Sequence, residues 1–386
     1  MGEICAESDR FDNKRIMKIF IVSPTLTNGG AERVASMLAK GFSKRGHEVT
    51  VVTHTDQKIS YDPGPKVKLL PIAPDKSNSA VKWITSIKWL RSYIKREQPD
   101  VIIGIMGVCS YLSRLAAIGT KTKVILTEHS AFERIPGYPL QTRVKYTRKW
   151  IDFRFRYITV LSEQDKKVGG RKYSHAVVMP NPLAYQTYEG NLRDLYKEKT
   201  VLAAGRISNW YVKGFDVLIE AWSILVHKKS FDSSWKLKIA GAGSEADMQH
   251  LMNLCKEYQV EDRIDFLGFR NDMLDLYRKS EIFCLSSRSE GMPMSLLEAM
   301  SQGCAPVATD YKGRTKNIIS NQDTGLVCIP QDPVSLAEGL WRMMNDDVYR
   351  KKVQLNALER SRHYSLDHVI MLWENMLNTI KENGNA

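Results

Sequence analysis

The cysteines of this sequence are few and far apart. Six are scattered through 386 residues with no close pair, and three lie in apolar, strand-like runs. A disulfide framework or a cysteine zinc site needs closely or regularly spaced cysteines. The spacing therefore excludes both and indicates reduced thiols inside a cytoplasmic protein. The eight histidines are equally dispersed, so the sequence offers no group of metal ligands either.

Long apolar runs are absent as well. The longest, residues 101–112, is broken by Gly104 and Gly107 and followed by Arg114, so it is shorter than the roughly 20 apolar residues that cross a bilayer. The first fifteen residues are polar and of mixed charge, which does not fit a secretory signal peptide. We expect them to form a flexible leader before a strand that starts at Met17.

The composition is that of a globular protein with two domains. Hydrophobic residues make up 43% of the chain and charged residues 26%, values typical of soluble domains. A chain of 386 residues is too long for one ordinary domain and suits two of about 180 residues, each with its own core.

The charge is unevenly divided between the two halves. Residues 1–185 contain 31 Lys and Arg against 16 Asp and Glu, a net charge of +15, whereas the remaining residues contain 25 against 27, a net charge of −2. The sequence has no zinc-finger, homeodomain or RNA-recognition signature that would read bases, so we expect no nucleic-acid partner. An anionic membrane surface, or an acceptor that carries a diphosphate, explains the basic half.

Strand-like segments alternate with helical ones, which predicts parallel sheets with helices on both faces. A strand from Met17 to Pro24 leads through Gly29 and Gly30 into a helix over residues 31–44, and the glycines let the backbone approach a ligand. The loop lacks the Gly-x-Gly-x-x-Gly spacing of a dinucleotide-binding fold, so a nicotinamide enzyme is disfavoured.

The stretch around Glu290 has the features of a ligand site. A short apolar strand over residues 282–285 is followed by a turn at Glu290 and Gly291, and Pro293 suits the first position of a helix that contains Glu298. The N–H groups and the dipole at a helix start favour an anion such as a diphosphate. Glu298 can then reach a ribose, and Glu290 can reach hydroxyls at the other end of a sugar nucleotide.

Five segments in this order resemble the retaining glycosyltransferases of family four. They are Gly29-Gly30-Ala31-Glu32-Arg33, Gly205-Arg206 with Lys213-Gly214, Gly241-Ala242-Gly243, Glu290-Gly291-x-Pro293 with Glu298, and Thr324-Gly325-Leu326-Val327. The resemblance covers nearly the whole chain. It implies an α/β protein of the GT-B fold, in which two Rossmann-like domains have parallel sheets that face a central cleft.

The same resemblance implies the domain bounds. An N-terminal acceptor-binding domain is expected over residues 1–183 and a C-terminal nucleotide-sugar-binding domain over residues 184–364. A helix within residues 365–386 is expected to cross back to the first domain.

Residue roles are also implied by the resemblance. Arg206 and Lys213 match the family's cationic pair for the donor diphosphate, although the six residues between them make a loop longer than usual. Asn317 stands at the position of a glutamate that the family carries, so the resemblance implies no detail of sugar selection. Besides Arg206, Lys213, Glu290 and Glu298, the expected donor-binding residues are Gly29, Gly30, Gly241, Arg270, Gly291, Met292, Pro293 and Leu297.

His129 follows a predicted strand over residues 123–127, at the carboxyl edge where open α/β sheets bind ligands. A lone histidine is often structural. However, the segment Thr127-Glu128-His129-Ser130 resembles segments of transferases of lipid-linked sugars, which implies that His129 faces the reacting sugar. The candidate catalytic residues are therefore His129, Glu290, Arg206 and Lys213.

Two basic, aromatic segments lie in the first half. Residues 80–98 predict an amphipathic helix, because apolar residues recur at three- and four-residue spacing among lysines and arginines, and residues 143–150 are similar in composition. Such a helix is either docked on the sheet with a solvated basic face or held at an anionic lipid surface. Both interpretations stay open.

The resemblance thus implies a retaining enzyme that moves a hexose or N-acetylhexosamine from a UDP-sugar to a saccharide acceptor linked to polyprenyl diphosphate, in surface polysaccharide or glycan synthesis. The UDP-sugar is a substrate, and neither a cofactor nor a metal is expected. The enzyme would work in the cytoplasm, peripherally at the inner face of the plasma membrane. Two alternatives remain. A UDP-sugar epimerase of the same fold would isomerise its donor alone, and a noncatalytic basic protein would bind nucleic acid or lipid without turnover.

Overall fold

A computed structural model describes residues 16–27, 29–54, 59–72, 79–133, 135, 137–138 and 141–382. The leader expected over residues 1–15 lies outside the described residues. The chain divides into two compact units. The first comprises Met1–Glu128, Tyr146–Thr159 and Glu374–Ala386, and the second comprises His129–Lys145 and Val160–Trp373. Residues 129–145 and 160–183 thus group with the second unit, so the domain boundary at 183 stays a prediction.

Within the described residues, the first sheet has seven strands in the order β3-β2-β1-β4-β5-β6-β7, and the neighbouring pairs from β3 to β6 are parallel. The sequence of β4 is apolar and fully buried, as expected for a parallel strand covered on both faces. The elements in chain order are β1 Lys18–Val22, α1 Gly30–Lys44, β2 Glu48–Thr53, β3 Lys68–Pro71, α2 Ser79–Glu97, β4 Val101–Ile105, α3 Met106–Ala116, β5 Lys123–Thr127, α4 Thr142–Trp150, β6 Tyr157–Val160, α5 Glu163–Gly169 and β7 Val177–Val178.

The second sheet has six strands in the order β10-β9-β8-β11-β12-β13, all paired in parallel. Its elements in chain order are β8 Glu198–Ala204, α6 Trp210–Lys213, α7 Phe215–Val226, β9 Lys236–Ala240, α8 Glu245–Glu257, β10 Ile264–Gly268, α9 Met273–Lys279, β11 Ser280–Leu285, α10 Met294–Ser301, β12 Ala305–Thr309, α11 Arg314–Ile318, β13 Leu326–Cys328, α12 Pro333–Asn345, α13 Asp347–Ser361 and α14 Leu366–Glu382.

In each sheet the strand order reverses at one position, between β1 and β4 in the first and between β8 and β11 in the second. Open α/β sheets bind ligands outside the carboxyl ends of the strands at such a switch point. In the second sheet, β8 leads into Gly205 and Arg206, and β11 leads into the acidic stretch around Glu290. The topology therefore brings two of the predicted segments to one edge of this sheet.

The five cysteines that lie within the described residues are interior, as the sequence predicts. Cys109, Cys255, Cys284, Cys304 and Cys328 are buried free thiols, and burial raises the pKa of each of them. Within the described ranges, no helix combines the length and the apolar character needed to span a membrane.

Helix α2 is docked on its sheet through Leu90 and Ile94, which are fully buried. Its opposite side carries exposed apolar side chains, with Ile84 56% and Trp89 37% exposed. Arg91 does not contribute a solvated charge to that side, because its Nη1 donates to the carbonyls of Ala116 and Ile118 at the end of α3. The helix thus has one face packed on the sheet and an outer face on which exposed apolar side chains lie among lysines.

Candidate active site

A tight turn places Lys213 beside the acidic stretch. The long loop between Arg206 and Lys213 is a 3-10 turn followed by the short helix α6. Gly214 then adopts a left-handed conformation with φ 66°, and a Cβ atom there would lie 2.0 Å from the carbonyl oxygen of Ser286. Only glycine fits this position without a clash. The turn therefore lies directly on the segment that follows β11.

Lys213 and Glu290 form the central ion pair of the site. Lys213 Nζ donates to Glu290 Oε1 at 2.7 Å, and Ser287 Oγ donates to the same oxygen at 2.8 Å. Both side chains remain partly accessible, 21% for Lys213 and 16% for Glu290. The pair therefore presents one cationic and one anionic group together, at the edge where the sheet is expected to bind a ligand.

Arg288 supports the geometry of this pair. Its guanidinium forms two parallel hydrogen bonds to Asp216, at 2.6 and 2.7 Å, and a third to the carbonyl of Tyr211 at 2.6 Å. Its backbone N–H donates to Val212 O at 2.8 Å. Because Arg288 is buried and binds residues on both sides of Lys213, it ties the lysine turn to the acidic stretch.

The glycine turn after β9 packs on the turn after β8. A Cβ atom on Gly241 would lie 1.7 Å from the carbonyl oxygen of Gly205, and Gly205 N donates to Ala240 O at 2.9 Å. Gly241 is therefore needed for the close approach of two backbone segments. Arg270, after β10, is exposed and pairs with Asp272 through two hydrogen bonds at 2.8 and 2.5 Å, so a ligand would compete with this carboxylate for its guanidinium.

Gly291 and Met292, which follow Glu290, contact the segment that carries His129 and the residue Asn181. A Cβ atom on Gly291 would lie 3.2 Å from the backbone nitrogen of Ala131 and 3.3 Å from the carbonyl oxygen of His129. The sulfur of Met292 accepts a hydrogen bond from Asn181 N at 3.2 Å. These contacts lie within the second unit and bring His129 close to the turn that holds Glu290.

His129 is partly exposed but crowded by protein atoms. Its Nδ1 lies 3.1 Å from Oδ1 of Asn181. Desolvation by the surrounding protein lowers the pKa of His129 to about 4, and the hydrogen bond to Asn181 offsets only part of this effect. His129 is therefore a neutral imidazole near neutral pH.

Glu298 lies on α10 and is buried. It accepts a hydrogen bond from the hydroxyl of Tyr277 at 3.2 Å, and burial together with the Glu298 charge raises the pKa of Tyr277. Helix α10 begins at Met294, so Pro293 is its N-cap and not its first residue. Leu297 has a fully buried side chain in the core, and its N–H donates to Pro293 O.

Gly29 and Gly30 lie in the first unit, at the start of α1. A Cβ atom on Gly29 would lie 1.7 Å from a carboxylate oxygen of Glu32, so this glycine makes room for the glutamate of the same motif. Asn317, in the position of the missing family glutamate, is exposed, and its carbonyl oxygen accepts hydrogen bonds from Arg360 and Tyr364.

Sequence reasoning missed four residues that shape the site: Asn181, Asp216, Tyr277 and Arg288. Each acts through a partner far away in sequence, such as Asn181 with His129, 52 positions apart. The flanking of Asn181 by two prolines was the available signal, since it marks a rigid segment. Among the described residues, no group of three or more His, Cys, Asp or Glu side chains is arranged to hold a metal ion.

Comparisons with known proteins agree with the family resemblance. The family model described as Glycosyltransferase Family 4 matches residues 28–183, and the model described as Glycosyl transferases group 1 matches residues 190–360. An uncharacterized glycosyltransferase of Haemophilus influenzae is 27% identical over 353 residues, covering 90% of this chain and 96% of that protein.

A second relative comes from Campylobacter jejuni and is named GalNAc-alpha-(1->4)-GalNAc-alpha-(1->3)-diNAcBac-PP-undecaprenol alpha-1,4-N-acetyl-D-galactosaminyltransferase. It is 27% identical over 375 residues, covering 95% of this chain and 99% of that protein. Among solved structures, Anabaena Alr3699/HepE in complex with UDP and glucose superposes with a TM-score of 0.74 at 17% identity, over 94% of this chain and 99% of that one. This likeness establishes the fold, two Rossmann-like domains of the GT-B type. The chain therefore belongs to the glycosyltransferases, with a Family 4 domain followed by a group 1 domain.

Proposed function

We propose that this chain is a retaining glycosyltransferase that moves a hexose or N-acetylhexosamine from a UDP-sugar to a saccharide acceptor linked to polyprenyl diphosphate. The observation that carries the proposal is the Lys213–Glu290 ion pair, 2.7 Å long, at the switch point of the second sheet. An ammonium suits a diphosphate, and a carboxylate beside it suits the hydroxyls of the sugar attached to that diphosphate. The Anabaena structure with UDP and glucose and the name of the Campylobacter relative support the donor and the acceptor class.

In the reaction, the bond between the anomeric carbon and the diphosphate oxygen breaks, and its electron pair leaves with UDP. The acceptor hydroxyl forms the new bond from the face that UDP leaves, and its proton passes to a phosphate oxygen of UDP. Negative charge grows on the diphosphate as this bond breaks, so Arg206 and Lys213 stabilise the transition state more than the ground state. These two cations would neutralise the charge of the departing diphosphate, which a bound metal ion does in other transferases.

The two carboxylates divide the recognition of the donor. Glu290 binds hydroxyls of the transferred sugar, because it lies in the accessible turn and its Oε1 is held by Lys213 and Ser287. Glu298 binds the ribose from the first turns of α10, where the hydroxyl of Tyr277 orients its carboxylate. His129 faces the transferred sugar as a neutral hydrogen-bonding group.

The test is a screen of UDP-sugars against lipid-linked saccharide acceptors, read as UDP release and as formation of a product. We expect release that depends on both the donor and the acceptor, and an NMR spectrum in which the new linkage has the anomeric configuration of the donor. An inverted linkage would refute the retaining mechanism. Isomerisation of the donor without an acceptor would select the epimerase, and salt-sensitive lipid or nucleic-acid binding without turnover would select the binding protein.

The outer face of α2 is the proposed membrane contact. It combines exposed Ile84 and Trp89 with Lys88 and Lys95, all accessible to solvent, on a half of the chain with a net charge of +15. Apolar insertion together with basic residues is how a peripheral helix binds an anionic bilayer, and each lysine contributes about 1 kcal/mol. The enzyme would thereby meet its lipid-linked acceptor at the inner face of the plasma membrane.

Charge reversal at Lys88 and Lys95 tests this contact. We expect the double variant Lys88→Glu with Lys95→Glu to lose most of its sedimentation with anionic liposomes and to keep its UDP affinity. Arg91 is left intact, because it binds carbonyls at the end of α3. The control reverses two exposed lysines of the second unit, Lys229→Glu and Lys256→Glu. If both double variants sediment alike, α2 is only a docked helix.

A further inference from the structure

Asn181 connects two predicted parts of the site. Its side-chain Oδ1 lies 3.1 Å from Nδ1 of His129, and its backbone N–H donates to the sulfur of Met292 at 3.2 Å. Asn181 is only 7% exposed. One residue thus contacts both the candidate catalytic histidine and the turn that follows Glu290.

The backbone around Asn181 is rigid. The residue stands between Pro180 and Pro182; each proline ring fixes its own φ, and a residue that precedes a proline is restricted to extended conformations. Leu183, which follows Pro182, donates its N–H to Tyr364 O at 2.7 Å. The backbone of Asn181 is therefore held in place, and its side-chain Oδ1 faces the histidine ring.

The polarity of the contact determines the state of the imidazole. With Oδ1 of Asn181 facing the ring, as the structure places it, Nδ1 is the donor and carries the hydrogen, because an amide oxygen only accepts. With the hydrogen on Nδ1, a neutral imidazole has its lone pair on Nε2, which then accepts hydrogen bonds. The opposite tautomer would offer a donor at Nε2 and would set two lone pairs against each other at Asn181.

We propose that Asn181 is a positioning residue that fixes the Nδ1–H tautomer of His129, so that Nε2 accepts a hydrogen bond from a hydroxyl of the transferred sugar. This inference rests on the proposed function for the sugar and deepens it, because it assigns the direction of one substrate hydrogen bond. A sugar that lacks this hydroxyl, or bears a fluorine in its place, is a poor donor. A His129 ring whose Nε2 carried the hydrogen could not accept the hydrogen bond from this hydroxyl.

Three carboxylates on segments around His129 are paired with cations. Glu290 is paired with Lys213, Asp165 on α5 is paired with Arg314, and the preceding residue in the chain, Glu128, accepts from Arg148 at 2.7 Å. Burial lowers the pKa of His129 to about 4, and the hydrogen bond that opposes this shift comes from the amide of Asn181. Replacing that amide by a carboxylate shifts the equilibrium of His129 between neutral imidazole and imidazolium.

Two substitutions of Asn181 distinguish an effect on the tautomer of His129 from an effect on packing alone. Asn181→Asp keeps an acceptor for Nδ1–H but adds a negative charge, which favours imidazolium and raises the pKa of His129. We expect the ratio of its transfer rate to the parent's to fall at least tenfold between pH 8 and pH 5.5. Asn181→Leu removes the acceptor, and we expect a loss of about 10- to 100-fold at every pH, the usual effect of a lost buried hydrogen bond. Asn253→Asp and Asn253→Leu, on the exposed side of α8, are matched controls.

The decisive measurement needs no turnover. The ¹⁵N shifts of the His129 ring in the parent protein report which nitrogen carries the hydrogen, and we expect Nδ1–H, with a mixture of tautomers in Asn181→Leu. A hydrogen on Nε2 in the parent, or a pH profile of Asn181→Asp like that of the parent, would overturn the proposal. If the parent shows Nδ1–H but turns over no UDP-sugar, the proposed function fails and the tautomer assignment stands. If Asn181→Leu does not fold, the parent spectrum and the Asn181→Asp profile still decide.

Discussion

We expect the substitution Arg288→Met to lower the free energy of unfolding of the second unit. We expect it also to weaken donor binding. Arg288 is 8% exposed in its side chain and Asp216 24%. Loss of one partner from a buried pair costs about 3–5 kcal/mol, because the other charge is left without compensation. Since Asp216 is partly exposed to water, we expect a loss below this range, about 2–3 kcal/mol. At roughly 2–4 °C per kcal/mol for a unit of this size, Tm should fall by about 5–10 °C.

The control is a surface pair of similar length. Arg362 and Glu359 are 2.8 Å apart, with side chains 46% and 75% exposed, and exposed pairs contribute about 0–1 kcal/mol. Arg362→Ala should therefore lower Tm by less than about 4 °C. If Arg288→Met lowers Tm no further than this control, the pair with Asp216 does not stabilise the unit and our reasoning is wrong.

A second variant separates the charge from the contact. Replacing both partners, Arg288→Met with Asp216→Leu, removes the buried charge left by the single change, so part of the lost stability should return. UDP affinity, measured by calorimetry at a temperature where both variants are folded, should stay low in each. Lys213 loses part of its support in both cases, since the guanidinium of Arg288 also donates to the carbonyl of Tyr211, whereas the backbone N–H of residue 288 keeps its bond to Val212 O.

Glu290→Gln should keep UDP affinity but lose most transfer, whereas Glu298→Ala should weaken UDP binding itself; equal losses of UDP affinity in a binding titration would contradict the division of roles. Arg206→Ala should lower kcat beyond any effect on binding, because the charge that it meets grows in the transition state, and a rise in KM alone would assign it to uniform binding. Gly241→Ala should destabilise the second unit by several kcal/mol in urea unfolding, because its Cβ would lie 1.7 Å from a backbone oxygen; an unchanged midpoint would show that the two turns can move apart.

Local sequence signals predict the elements of the site well. Apolar β-branched residues predict a strand over residues 123–127, and it is found as Lys123–Thr127. The strand, turn and helix around Glu290 are also found, with the helix starting one residue later than expected. Apolar runs, turn residues and helix starts act within a few positions of the chain, so a sequence shows them directly.

Tertiary pairing could not be predicted in the same way. The basic residues of α2 predict a charged outer face, yet Arg91 turns inward to the end of α3. The loop before Lys213, longer than the family pattern, contains a helix that glycine packing holds against Ser286. Which cation meets which carboxylate depends on strand order, because sheets place distant segments side by side. The order of the strands therefore carries information that composition and periodicity lack.

The buried thiols give each unit a chemical reporter of its own opening. Cys109 lies in the first unit, and Cys255, Cys284, Cys304 and Cys328 lie in the second. The thiolate is the form that reacts, and burial raises the pKa of these groups, so alkylation at neutral pH requires an excursion that admits water and reagent. The labelling rates of the individual cysteine peptides thus record, in one mass spectrum, how often each half of the enzyme opens and which half a bound donor keeps closed.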